Sequence, residues 1–209
     1  MMFALIILYV VTLVYLSITE RFRNYTSIMA LQGWILFAIA LLRLHSINIF
    51  DLLFVLAETL IFKAIVVPAI MRRIIRTTKI NKIFSSGESQ FNALAGSLAA
   101  LIVSIGITYC IADNSIDMVF FGVALYALLS GLILITARRR IFAHLVGFLV
   151  IENGVFLFSI AMGIEMPFMI NIAIMLDILM SILMLGLFIT RIGDRLHTAD
   201  SDKLTSLKD

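Results

Sequence analysis

Apolar stretches separated by short clusters of basic or polar residues run the length of this chain. A helix needs roughly 20 predominantly apolar residues to cross a bilayer. On that measure the pattern predicts seven crossings, at about 2–18, 26–44, 50–71, 92–112, 116–136, 141–162 and 167–190. The first stretch has no Lys or Arg before it, and no small-residue cleavage pattern precedes Glu20-Arg21-Phe22-Arg23. It is therefore expected to remain as a mature helix and not to act as a signal peptide.

Composition sharpens the class. Of the 209 residues, 62% are hydrophobic and 14% are charged, and the mean hydropathy is +1.12. A soluble domain would have too little polar surface on those figures, so the expected fold is an all-α, polytopic membrane protein. Loop charge then orients it. With the N-terminus outside, Arg21, Arg23, Arg72, Arg73, Arg76, Lys79, Lys82, Arg138, Arg139, Arg140, Arg191, Arg195, Lys203 and Lys208 all fall on one face. Only Arg43 lies opposite, and Lys63 lies within a crossing. The basic face is the cytoplasmic one. The formal charge of +3 thus reports topology and does not point to nucleic acid, because the basic residues never interleave with aromatics along one groove.

Four ionisable residues lie inside the crossings: Glu58, Lys63, Glu152 and Asp177. Each costs roughly 2.5–3.5 kcal/mol at the centre of a membrane helix on insertion scales, so each is expected to be paired, hydrated or functional. In the third crossing Pro68 removes the amide that would bond the Ala64 carbonyl, which predicts a local helix break beside Lys63. Glu58 and Lys63 are five positions apart, about 140° around an α-helix, which disfavours a pair on one face and turns Lys63 toward a neighbouring helix. Snorkelling is strained for a lysine this far from the helix end. Asp177 has Ser181 one turn later on an otherwise Ile, Leu and Met face, and Glu152 is followed by Asn153 and Gly154. Desolvation favours the protonated acid at such depths unless a cation or water offsets it, which is how a proton carrier is poised.

The chain also repeats weakly. The second crossing has Gln32-Gly33 and leads to a helix with Glu58; the sixth has Glu152-Asn153 and leads to a helix with Asp177, at separations of 26 and 25 residues. Each such pair follows an outside-to-inside helix, so the plan is a parallel three-helix repeat. Residues 1–76 form the first unit, 77–115 a cytoplasmic loop and linking helix, 116–191 the second unit and 192–209 a cytoplasmic tail. The linking helix, with small residues at Gly96, Ala100 and Ser104, is expected to serve in close packing.

Much chemistry has no residues to support it. Cys110 stands alone, and neither C-x-x-C, H-E-x-x-H nor a His/Asp cluster gives metal spacing, so no metal or cofactor is expected in this chain. His45, His144 and His197 are expected to serve at interfaces or in packing. There is no Gly-rich phosphate loop, G-x-S-x-G elbow or Cys/His dyad. The eleven Met and sixteen Phe are expected to be packing and bilayer-facing surface.

The stretch Phe62-Lys63-Ala64-Ile65-Val66-Val67-Pro68, the Glu152-Asn153-Gly154 motif, the Asp177 helix and the tail Leu204-Thr205-Ser206-Leu207-Lys208 together resemble the membrane E component of hydrogenase-4 and formate hydrogenlyase-like complexes. That likeness covers nearly the whole chain. The last three crossings also resemble the small K subunit of bacterial complex I and its counterpart in multisubunit cation/proton antiporters, with Glu152 and Asp177 matching the two membrane acids of that family. The resemblance implies a place in a hydrated polar axis that links redox chemistry in a peripheral arm to proton movement in antiporter-like subunits. Lys63 and Pro68 match the E component's third helix and Gln32 its second, while Glu58 departs from the pattern. It further implies nickel–iron and iron–sulfur centres in partner subunits, and a bacterial cytoplasmic (inner) membrane location. A subunit of a cation/proton antiporter without redox partners, or a stand-alone small-solute transporter, are the other readings; the latter would call for an enclosed midplane cavity and, commonly, inverted repeats.

Overall fold

The structure is a computed structural model that describes residues 1–19, 21–43, 53, 55–78, 90–111, 116–137 and 141–163. The seventh predicted crossing with Asp177, the tail at 192–209 and the side chain of Glu58 lie outside the described residues. Every element among the described residues is helical: α1 (Met2–Ile18), α2 (Phe22–Arg43), a π-helical segment (Glu58–Val66), α3 (Val67–Thr78), α4 (Gln90–Ile111), α5 (Met118–Ala137) and α6 (Ile141–Ala161). Four of the expected crossings are helices long and apolar enough to span a bilayer, at Arg23–Arg43, Phe91–Ile111, Met118–Ala137 and Ala143–Ala161. Met2–Ile18 is apolar but shorter.

α1 and α2 form a hairpin. The chain leaves α1 through an extended Thr19 whose amide still bonds the Tyr15 carbonyl at 3.1 Å. The buried Tyr25 hydroxyl donates to the Thr19 carbonyl at 2.9 Å, so one aromatic both fills space and satisfies a backbone group at the turn. α5 and α6 form a second hairpin, the most closely packed pair among the described helices. A Cβ on Gly131 would lie 2.6 Å from the Gly147 carbonyl oxygen, and one on Gly147 would lie 2.8 Å from that of Gly131. Gly154 likewise faces the backbone of Ala124 and Leu128. Small residues let two membrane helices approach to backbone contact, where dispersion replaces the hydrophobic drive that lipid removes.

The two hairpins pack together: α1 against α2, α5 against α6, α1 against α5, and α2 against α6. Their shared core contains Tyr9, Leu13, Leu36, Ile39, Phe120, Tyr126 and Leu157, all nearly inaccessible. The π-segment and α3 lie against α2, and α4 lies against α1 and α5.

Two expectations change here. The buried small-residue face of α4 runs through Ala93, Ser97, Ala100 and Ser104, whereas Gly96 is only half-buried and a Cβ there would make ordinary contact with Ile133 at 3.6 Å. The intimate glycine packing belongs instead to α5 and α6 and, at Gly33, to α2. α4 is peripheral, with 17% of its span buried against 67% for α6. Its contact to α5 is fastened by a 2.7 Å hydrogen bond between the buried Ser97 and Tyr126 hydroxyls.

The second change is the third crossing. The sequence predicts an α-helix opened at Pro68; the structure has nine residues of π-helix from Glu58 to Val66, preceded by α-helical residues 55–57, and α register resumes at Val67. An α-turn would demand a donor at position 68 for the Ala64 carbonyl and would press the proline ring against it. The π-helix ends at Val66, which leaves Pro68 in the first turn of α3, where its missing amide is tolerated; π-helix elsewhere appears mostly as a single turn, frequently at functional sites. It also alters the relation of Glu58 to Lys63. In an i→i+5 register, backbone positions five apart are one hydrogen-bonded turn apart, so the 140° separation expected of an α-helix does not apply. Further along, Arg72, Arg73 and Arg76 in α3 end the apolar run.

Candidate functional site

The site is built where α1, α2, the π-segment and α6 converge near mid-height. Gln32, in the middle of α2, is fully buried. Its Nε2 donates to Thr12 Oγ1 of α1 at 3.0 Å, and Thr12 Oγ1 donates in turn to the Tyr9 carbonyl at 2.6 Å. On the other side, Asn153 Nδ2 of α6 donates to Gln32 Oε1 at 3.3 Å. Three helices are thereby joined by one chain of buried polar groups. Such groups are tolerated in an apolar interior because each finds a partner.

Gly33 brings the π-segment to the same place. A Cβ at this position would lie 2.7 Å from the Cα and N of Ala64 and 2.8 Å from the carbonyl carbon of Lys63. Any larger residue would push α2 away from the π-segment. The polar residue and its neighbour in the Gln32-Gly33 pair therefore do different work: one bonds across the core and the other admits the backbone that carries Lys63.

Lys63 is buried, and its Nζ stands 5.0 Å from the centre of the Phe156 ring. A desolvated cation over an aromatic face gains about 2 kcal/mol or more. Phe156 is four residues beyond Glu152 and so shares its face of α6. Glu152 and Asn153 are both buried. The lysine thus faces α6, the helix that carries the buried Glu152.

The predicted residues Gln32, Lys63 and Glu152 fall on these converging elements, and Pro68 is buried at the start of α3, just beyond the π-segment. Glu58 belongs to the π-segment by its backbone. Asp177 lies outside the described residues. Thr12 and Phe156 had no signal in the sequence, since a threonine that bonds its own helix and a phenylalanine in an apolar span are ordinary features; only the neighbours across the interface give them a role. Among the described residues, no group of three or more His, Cys, Asp or Glu is placed to hold a metal.

A second polar contact closes one end of the bundle. Arg43, at the end of α2, pairs with Asp117 at 2.6 Å and lies over the Phe120 ring. Asp117 also caps α5, accepting from the amide of Val119 at 3.2 Å, while its own amide donates to the Ala161 carbonyl at the end of α6. The basic residue that stood alone on the predicted external face is thus partnered by an acid of the next external loop. Separately, an open apolar groove of about 530 Å³ lies between α1, α4 and α5, lined by residues that include Leu101, Thr108, Gly122 and Tyr126. No residue of the Thr12, Gln32 and Asn153 chain lines it, nor does Lys63 or Glu152.

No family model matches the chain, and no solved structure matches it. It is similar to the uncharacterized protein Rv0085 of Mycobacterium tuberculosis, at 24% identity over 197 residues that cover 90% of this chain and 86% of that protein.

Proposed function

We propose that this chain is an integral membrane subunit of a complex I-related, hydrogenase-4-like respiratory complex. In this reading it has seven crossings, an external N-terminus and a cytoplasmic C-terminus in the bacterial inner membrane. It contributes to a proton-conducting polar axis and bridges larger membrane subunits. Hydrogen or formate chemistry belongs to nickel–iron and iron–sulfur partners. The observation that carries the reading is the convergence at mid-height of a buried lysine, a buried acid and a three-helix polar chain in an otherwise apolar bundle. Groups of this kind are costly in a membrane and mark ion pathways there. The resemblance of Lys63, Pro68, Glu152 and Asp177 to the E component and K subunit selects the pathway's kind.

Within that axis, Glu152 and Asp177 exchange protons and Lys63 supplies the positive charge that lets a neighbouring acid ionise. The π-segment places Lys63 beside α6, and Glu58 stands one hydrogen-bonded turn before it. Gln32 lines the axis from α2.

The test is to purify the chain from its native membrane in mild detergent and to measure acidification of everted vesicles from the same cells. Copurification of antiporter-like and iron–sulfur subunits, with acidification lowered but assembly kept in Glu152→Gln and Asp177→Asn, is the expected result. The amide keeps shape and abolishes titration. Copurification of antiporter-like subunits alone would assign the chain to a cation/proton antiporter. A monodisperse monomer that transports a solute in isolation would overturn the subunit reading.

A further inference from the structure

From the hydrogen-bond chain of Thr12, Gln32 and Asn153 we infer that Gln32 is a positioning residue that stops proton movement on the α1 side of the polar axis. This rests on the proposed conducting role of the same site. A group passes a proton along a hydrogen-bonded chain only if it can accept on one side and release on the other. Hydroxyls, water, imidazoles and carboxylic acids do so. A side-chain amide does not, because its NH₂ only donates and its carbonyl oxygen only accepts.

The geometry places two such amides in series. Asn153 Nδ2 donates to Gln32 Oε1 and Gln32 Nε2 donates to Thr12 Oγ1. The Thr12 hydroxyl proton is committed to the Tyr9 carbonyl at 2.6 Å, so its oxygen is left to accept, and this sets which end of the Gln32 amide faces α1. The orientation then propagates: Gln32 Oε1 is turned toward α6, where Asn153 supplies the donor. The chain ends on a backbone carbonyl within α1. It is anchored at one end, polarised in one direction and closed to relay. Because Gln32 and Asn153 are both buried, the fixed amides also hold α2 and α6 in register beside Lys63 and Glu152.

Two consequences distinguish this role from that of a conduit. Proton traffic is confined to the side of Gln32 that holds the π-segment and α6, and α1 serves as wall. A residue at position 32 that can relay opens the wall, whereas one that cannot relay opens no new path.

The experiment compares everted vesicles from cells carrying the wild-type chain, a deletion, Gln32→Glu and Gln32→Met, each at the native locus, with the amount of assembled subunit measured in parallel. Turnover-coupled acidification and its pH profile are read first, then passive proton leak without turnover. Gln32→Met is expected to lower the amount of assembled subunit, because the Asn153 amide loses its acceptor, but per assembled subunit to add neither a titration to the pH profile nor a leak. Gln32→Glu is expected to add a titration to the profile and to raise the leak several-fold, and Thr12→Val in that background is expected to lower the leak again. Loss of flux in assembled Gln32→Met to the level of Glu152→Gln would overturn the inference, as would a Gln32→Glu variant with neither the added titration nor the leak. A deletion strain that acidifies like wild type would instead overturn the proposed function, so the two failures are told apart.

Discussion

Asn153 of α6 donates a hydrogen bond to Gln32 of α2 although 121 positions separate them in the chain. The two residues belong to the polar steps of the two predicted repeat units, and the fold brings those steps face to face at one depth. Breaking one side alone leaves a buried polar atom short of its partner. Asn153→Leu is expected to destabilise by about 1–3 kcal/mol, and the double variant with Gln32→Leu by less than the sum of the two singles. Thermal denaturation in mild detergent, run as a double-mutant cycle, measures the difference.

Gly33 is the point of closest approach between α2 and the π-segment. Gly33→Ala forces its new methyl against the backbone of Lys63 and Ala64, which cannot move aside as a side chain would. A loss of about 1–3 kcal/mol is expected from overpacking, with lowered vesicle acidification because Lys63 is displaced. Gly106→Ala is the control, since nothing lies within 4 Å of a Cβ there. It is expected to be neutral or slightly stabilising through helix propensity.

Asp117 pairs with Arg43 and caps α5, while Arg43 pairs with Asp117 and lies over Phe120. The ion pair is partly exposed, at 41% and 26% for the two side chains, so Arg43→Ala is expected to cost no more than about 1 kcal/mol. Asp117→Ala also removes a helix cap and is expected to cost roughly 1 kcal/mol more. Asp117→Asn retains a capping oxygen and the Arg43–Phe120 contact, so it should cost no more than Arg43→Ala. Melting temperatures of the three variants at low salt give the order, and high salt is expected to shrink the Arg43 effect by screening.

Lys63→Met tests whether the buried cation works or merely fills space. Loss of the ammonium removes the contact with Phe156 and the charge that favours an ionised acid, so coupled acidification is expected to fall in assembled vesicles. Lys63→Arg is expected to be only partly tolerated, because a planar fork fits a site shaped for a compact ammonium poorly. Unchanged pumping in Lys63→Met would make the lysine structural.

Helical class, the membrane-crossing character of the long apolar runs and the depth of the intramembrane polar residues follow from composition and hydropathy, because a bilayer imposes length and polarity on each span before any tertiary contact forms. Lys63, Glu152, Gln32 and Pro68 could be singled out for the same reason: each is expensive or awkward where it stands. What the sequence could not determine is which helices meet. Gln32 was legible as polar, but its partners Thr12 and Asn153 come from helices far away in sequence. Gly96 was legible as small, yet its neighbour Ile133 leaves room for a side chain, while Gly33, Gly131 and Gly147 face backbone. The proline predicted a defect, but not the nine residues of π-helix before it nor their backbone contact with α2 at Gly33. Polarity and size are properties of single positions and can be read along the chain; close approach and hydrogen-bond direction are properties of pairs, and only packing decides them.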